Sequence, residues 1–321
     1  MASWQSFAMC TMLRFTMKRA GRNGIDVERS RASVGTPRPE VLHVPADWKV
    51  RPLSADGLTF ETTERAIGPE LRDDLVVLYL HGGGYFFGSP QTHRQLALNM
   101  ARHCDAPVYS LDYRLAPEHR FPAALDDAVA AYQWLTKTFP HRRIIISGDS
   151  AGGGLALSTA LELRDRGEPM PAALVLFSPW TDLALTGASI DANTRRCAMF
   201  TGKGVREGAK IYLGDADPRN PRASPHYANF RGLPPLQIFA STDEVLRDDS
   251  VRLADMARQQ GVTTELHLEA GVPHIWPIFA RLLPEGRKSL LQVKDFVART
   301  LPRAKPRAAQ VVCAVESRAA L

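Results

Sequence analysis

The chain's 321 residues are 45% hydrophobic, enough to bury a large core as one big α/β domain or two smaller ones. Its formal net charge of +6 sits largely in the ends (Arg14, Lys18, Arg19 and Arg22; Arg303, Lys305 and Arg307), with no basic block interleaved with aromatics between, so no nucleic-acid partner is expected. Four scattered cysteines, Cys10, Cys104, Cys197 and Cys313, form no CxxC pair, and no apolar run approaches the roughly 18 residues of a membrane span; reduced thiols, a cytoplasmic location and no stable membrane insertion are the expectations.

The opening stretch, MASWQSFAMCTMLRFTMKRAGR, lacks the hydrophobic core and small-residue cleavage site of a secretory signal. It is basic and acid-free up to Asp26, as transit peptides are. Trp4, Phe7, Met12 and Phe15 are roughly helically spaced, which predicts an amphipathic helix packed on the body. From about Leu53, short apolar runs alternate with helix-like stretches, the pattern of an α/β protein with a mainly parallel sheet. The runs are LVVLYL (75–80), APVYSLDY (106–113), RIIISG (143–148), AALVLFSP (172–179), LQIFAS (236–241) and TELHLEA (264–270). Helices are predicted over 123–139, 150–167 and 248–261. Two regions break the alternation: the first forty-odd residues, and 180–229, which is far longer than a βα connection needs and marks a lid or binding wall.

The strongest chemical signal is IIISGDSAGGG. A β-branched run enters Gly148-Asp149-Ser150-Ala151-Gly152, a G-x-S-x-G pattern, and a predicted helix follows. Such a strand–turn–helix lifts a serine hydroxyl above the sheet edge, and small flanking residues avoid clashes in the turn. The same glycines lack the G-K-[ST] of a phosphate loop and the G-x-G-x-x-G of a dinucleotide fold. Acids and histidines show no zinc-ligand spacing, so no metal is expected.

A serine nucleophile needs a base, and the base needs an orienting acid. Asp243 falls at the end of LQIFAS, and His274 in the loop after TELHLEA, in the chain order Ser, acid, His. Asp243 is the preferred acid by its position; Glu244 is a minor rival, and Asp248 and Asp249 read as helix-start residues. His81 reads as fixing a loop. His93, His103, His119, His141, His226 and His267 have no strand-end context and read as structural. The attacked carbonyl becomes an oxyanion that needs backbone N–H donors. Ala151 supplies one, and two of Gly82, Gly83 and Gly84 supply the others, from the HGGG loop that follows the first buried strand.

With HGGGYFFGSP, DYRLAPEHRFPAALDD, GDSAGGG, SPWTDL, TDEVLRDDSVRLA and GVPHIWPIF in this order, the chain resembles the hormone-sensitive-lipase family, the microbial GDxG carboxylesterases. The likeness runs from about Leu53 to Thr300. It implies an α/β-hydrolase fold, a mostly parallel sheet flanked by helices, with a helical cap. The expected division is 1–45 as the N-terminal part of the cap, 46–179 and 223–301 as the two parts of the core, 180–222 as the cap insertion and 302–321 as a peripheral or disordered tail. Carried over, the nucleophile falls on Ser150, the acid on Asp243 and the base on His274. Many members read D-P-L-x-D around the acid; DEVLRDD departs from this and keeps Glu244 and Asp248 in play.

The resemblance implies cofactor-free hydrolysis of a small-molecule ester with a short- to medium-chain acyl group, and leaves homodimerisation open. Lactonase, deacetylase and amidase readings share the same triad. A non-catalytic receptor of this fold would lack the histidine that His274 supplies. Tyr85 to Phe87, Trp180, Met199 and Phe200 are candidate walls of an acyl pocket, with core or cap packing as the alternative.

Overall fold

The computed structural model describes residues 2–19, 24–35 and 42–303, so the expected tail lies, from 304 on, outside the described residues. Two helices come first, α1 (Trp4–Leu13), which runs on as a π-turn to Lys18, and α2 (Val27–Gly35). Strands β1 (Trp48–Ala55) and β2 (Leu58–Arg65) form a hairpin whose turn is Asp56-Gly57, both at positive φ. That is the pairing a tight hairpin favours. There follow β3 (Leu75–Leu80), α3 (Arg94–Cys104), β4 (Val108–Leu111), α4 (Ala123–Thr138), β5 (Arg143–Asp149), α5 (Ala151–Asp165) and β6 (Ala173–Phe177). After β6 come a short α6 (Ser189–Ala192) and α7 (Gly202–Leu213), then β7 (Leu236–Ser241), α8 (Arg247–Gln259), β8 (Thr264–Glu269) and α9 (Pro284–Thr300).

The strands form one sheet in the order β1-β2-β4-β3-β5-β6-β7-β8. β1 with β2 and β2 with β4 are antiparallel; all other pairs are parallel. Every residue of β3 is buried, because helices cover both faces of a parallel sheet. Its side chains alternate accordingly: Val76, Leu78 and Leu80 join the core beneath α4 and α5, and Leu75, Val77 and Tyr79 join that beneath α3 and α9. The six strands expected from sequence correspond to β3 to β8, and the three helices to α4, α5 and α8. The hairpin, α3 and α9 were not among the expected elements: β1 is a mostly exposed edge strand interrupted by Pro52, which blurs its alternation.

One expectation reverses. α1 packs on the body, but by the opposite face: Ser6, Cys10 and Leu13 are buried, while Trp4, Phe7, Met12 and Phe15 are 76%, 72%, 50% and 70% exposed. The smaller side chains allow close approach, and the Ser6 hydroxyl donates to Gly271 O at 2.7 Å. Cys10 and Leu13 cluster with Ala198 and Met199 from the long stretch between β6 and β7. Further bonds join the same two regions. Lys18 Nζ donates to Cys197 O at 2.8 Å, and Ile25 N–H to Glu207 Oε2 at 2.9 Å. The amino-terminal segment and the stretch around α6 and α7 therefore pack as one layer over the carboxyl ends of the strands.

Candidate active site

At the end of β5, Ser150 adopts φ 53°, ψ −120°, a conformation that costs a non-glycine residue roughly 1–3 kcal/mol. Four backbone hydrogen bonds hold it there. Its N–H donates to Phe177 O at 2.8 Å, and its carbonyl accepts from Trp180 N at 2.9 Å, Gly153 N at 3.0 Å and Gly154 N at 3.1 Å. The neighbouring glycines are required by contact. A Cβ on Gly152 would lie 2.0 Å from Leu80 O, and one on Gly148 would lie 2.3 Å from Gly152 O. The turn and the end of β3 thus meet backbone to backbone. α5 starts at Ala151, so its first N–H groups face the space above Ser150 with no helical partner.

The HGGG loop leaves β3 beside this turn. Gly82 N–H donates to Asp149 Oδ1 at 3.0 Å and is spent there. Among the described residues, the N–H groups of Gly83 and Gly84 have no partner. Both glycines sit at positive φ, and a Cβ on Gly83 would lie 2.0 Å from Phe87 O. The loop is braced from behind. The Tyr85 ring stacks on Tyr212 of α7 with centroids 3.8 Å apart, and Phe86 lies over Gly208 of the same helix. Tyr85 and Phe86 are buried in this packing.

Asp149, the variable residue of the G-x-S-x-G pattern, is fully buried and binds three groups. Besides Gly82 N–H it takes the Tyr79 hydroxyl at 2.5 Å and stands 3.4 Å from His93 Nε2. Burial works against charge on both Asp149 and His93, but their mutual attraction outweighs it: the Asp149 carboxyl is held below its usual range and His93 is raised. His81 behaves oppositely. Burial and the neighbouring His93 push it down to about 3, so it is neutral; its Nδ1–H donates to Gly82 O at 2.7 Å and its ring stacks on Tyr113. His93 and Tyr79 were not among the residues that sequence singled out for the site. The available signal was Asp149 itself, an acid ending an apolar strand that must find buried partners.

The acid–base side lies at the ends of β7 and β8. Here the structure brings Glu244, not the preferred Asp243, to His274. The carboxylate of Asp243 turns outward, to Arg196 at 2.5 Å and Gly271 N–H at 3.0 Å. Glu244 turns inward: its Oε2 meets His274 Nδ1, and its Oε1 accepts Ser241 N–H at 2.8 Å. Successive residues past a strand end point in different directions, and the extra methylene of Glu244 gives the reach to the imidazole. Asp248 and Asp249 do not cap their own helix either. They accept N–H groups of Ser189, and of Thr181 and Asp182, and so bind the stretch after β6.

Glu244 and His274 are both fully buried, and His274 Nε2 has no hydrogen-bond partner among the described residues. The loop that carries His274 is tied to its neighbours. Val272 O accepts the Ser241 hydroxyl at 2.7 Å, and Ile275 N–H donates to Ser178 Oγ at 3.1 Å, just past β6. Ile275 and Ser178 share with Ser150 a positive φ, unusual for all three and most of all for a β-branched residue. Strain of this kind persists where surrounding contacts impose it. The Phe200 ring stands edge-on to His274 with centroids 5.2 Å apart.

A parallel sheet with a strained serine turn, a glycine loop beside it and a carboxylate–histidine pair two strands away defines an α/β-hydrolase. Residues 77–278 match a family model described as the alpha/beta hydrolase fold. An acetyl-hydrolase of Streptomyces hygroscopicus is 40% identical over 262 residues, 80% of this chain and 82% of that protein. An esterase of Acinetobacter venetianus is 35% identical over 250 residues, 77% and 81% of the two chains. Among solved structures, the esterase EstE5 soaked with p-nitrophenyl butyrate superposes with a TM-score of 0.85 at 38% identity, covering 93% of this chain and 99% of that one. An esterase of the bacterial hormone-sensitive lipase family gives 0.83 at 37%, covering 94% and 99%. The chain belongs to the hormone-sensitive-lipase family of α/β-hydrolases and is a carboxylic ester hydrolase.

Proposed function

We propose that the protein hydrolyses esters of short- to medium-chain acyl groups through a Ser150–His274–Glu244 triad and an acyl-enzyme. The single observation that carries this reading is the buried contact of Glu244 with His274 Nδ1, which leaves the other ring nitrogen, Nε2, without a partner among the described residues. Nε2 takes the Ser150 proton as Oγ bonds to the ester carbonyl carbon. The carbonyl electron pair moves onto oxygen, where N–H groups of Gly83, Gly84 and Ala151 receive it; Gly82 is excluded because Asp149 already accepts its N–H. Protonated His274 returns the proton to the alkoxide as the C–O bond breaks and the alcohol leaves. Water then attacks the acyl-enzyme by the same route and releases the acid. Glu244 fixes the tautomer with the proton on Nδ1 and stabilises the imidazolium without itself taking the proton.

The small acyl group is supported by the packing of Tyr85 and Phe86 against α7, which fills space beside the oxyanion loop, and by likeness to a protein named as an acetyl-hydrolase. The segment before β1 and the stretch from β6 to β7 would form the cap. The decisive experiment is Ser150→Ala with an organophosphonate probe. Stoichiometric labelling and p-nitrophenyl acetate turnover should both vanish while the thermal melt is unchanged. Labelling that persists on another residue would remove Ser150 from the scheme.

A further inference from the structure

Among the described residues, eight large hydrophobic side chains are exposed, and four of them fall within one twelve-residue span, Trp4, Phe7, Met12 and Phe15. Trp4, Phe7 and Phe15 stand at i, i+3 and i+11, one row along the side of α1 and the turn that extends it. The opposite face is the one that packs on the body. Two threonines beside the row are already satisfied: the Thr11 hydroxyl donates to Phe7 O at 2.9 Å and that of Thr16 to Met12 O at 3.0 Å. Covering this surface therefore strands neither hydroxyl.

The charges on the segment that carries the row have one sign. Residues 2–19 contain Arg14, Lys18 and Arg19 and no acid, and the adjoining loop after α6 adds exposed Arg195 and Arg196. Arg14 bonds to a main-chain carbonyl, that of Arg196, rather than to a carboxylate, which leaves its charge uncancelled. Two acids lie near: Asp243 pairs with Arg196, and Glu285 accepts the N–H and hydroxyl of Ser3. An aromatic row edged by cations is the composition of a helix that lies in a lipid headgroup layer. A second copy fits poorly, because a two-fold contact through this face would bring each set of cations against its equal.

We propose that this face docks the protein on an anionic lipid surface, with α1 in the plane of the layer. Trp4, Phe7, Met12 and Phe15 sink into the headgroup–acyl boundary, and Arg14, Arg19 and Arg195 meet lipid phosphates. No helix of the described residues is long and apolar enough to cross a membrane, so attachment through this face is peripheral. The site would then sit close to the layer. A cavity of about 260 Å³ lined by Phe7, Cys10, Arg14, Arg196, Asp243 and Val272 lies between α1 and the loop that carries His274.

The test uses the full chain and vesicle flotation at about 0.1 M salt, where surface charge still acts. Vesicles of equimolar phosphatidylglycerol and phosphatidylcholine should bind the protein at least about tenfold more strongly than phosphatidylcholine alone. Trp4 is the exposed one of the five tryptophans, so its fluorescence should shift to the blue on binding. Trp4→Ala/Phe7→Ala/Phe15→Ala should lose binding by about tenfold or more with an unchanged thermal melt. Arg14→Gln/Arg19→Gln should flatten the preference for anionic vesicles. Equal binding by the aromatic variant, no binding to anionic vesicles, or a wild-type dimer that the aromatic variant makes monomeric would each overturn the proposal.

Discussion

The two halves of the site are built from different material. Where β3 and β5 end, the HGGG loop and the serine turn meet through main chain, and glycines are needed because a Cβ on Gly82, Gly83, Gly148 or Gly152 would strike a carbonyl or carboxylate oxygen. Where β7 and β8 end, side chains do the work: Glu244 reaches His274, and Asp243 is drawn off by Arg196 and Gly271. A main-chain device leaves its mark in sequence as fixed glycines at fixed spacing. A side-chain device depends on which way consecutive residues point, and that is decided by tertiary contacts.

The largest effect should come from the side-chain half. Glu244→Gln keeps the length of the acid but can place an amide N–H against Nδ1, forcing the proton onto Nε2, where it blocks the base. A loss in kcat on the order of 10⁴-fold is expected. Asp243→Asn should change kcat by less than about fivefold, because its partner Arg196 is largely exposed and such pairs contribute little. Steady-state kinetics on p-nitrophenyl acetate read both. A reversed ranking would return the acid to Asp243 and would mean that the carboxylates exchange roles in solution.

The main-chain half should break by a smaller factor. Gly83→Ala places a Cβ 2.0 Å from Phe87 O at φ +119°, so the loop must move and its N–H donors with it. Losing one such donor typically costs about 10²–10³ in kcat. The rate of phosphonate labelling should fall in parallel while KM changes little. An unchanged kcat would mean that Ala151 and Gly84 suffice.

These contrasts explain what was legible. LVVLYL, RIIISG and LQIFAS read as buried strands because both faces of a parallel sheet are covered, and their ends then located the glycine loop, the serine turn and the Asp243–Glu244 pair. Which carboxylate meets His274 was not legible, since Asp243 and Glu244 are adjacent and only their partners separate them. The aromatic row on α1 was legible as a helix but not as an outward face: a period of 3.6 gives the stripe without saying which stripe meets the body. His93 carried no local signal, because its partner Asp149 is more than fifty residues away in sequence.

His93 also offers the subtlest test of the main-chain half, since it braces Asp149, which in turn holds Gly82. The groups facing it are Asp149, the His81 ring, and Ser89 O with the Thr92 hydroxyl at Nδ1. Burial disfavours its cation, but Asp149 outweighs that and the net shift is upward. A histidine raised on folding adds stability that is fully present below its unfolded value of about 6.5 and is lost as pH rises through the folded value. Asp149, shifted downward, keeps its own contribution above the unfolded carboxyl value of about 3.9, so between pH 6 and 9 only the histidine varies. The stability gap between wild type and His93→Gln, measured by urea unfolding, should therefore narrow from pH 6 to pH 9. A gap that is constant or widens would mean that His93 stays neutral and that the loop is held by Tyr79 and Gly82 alone.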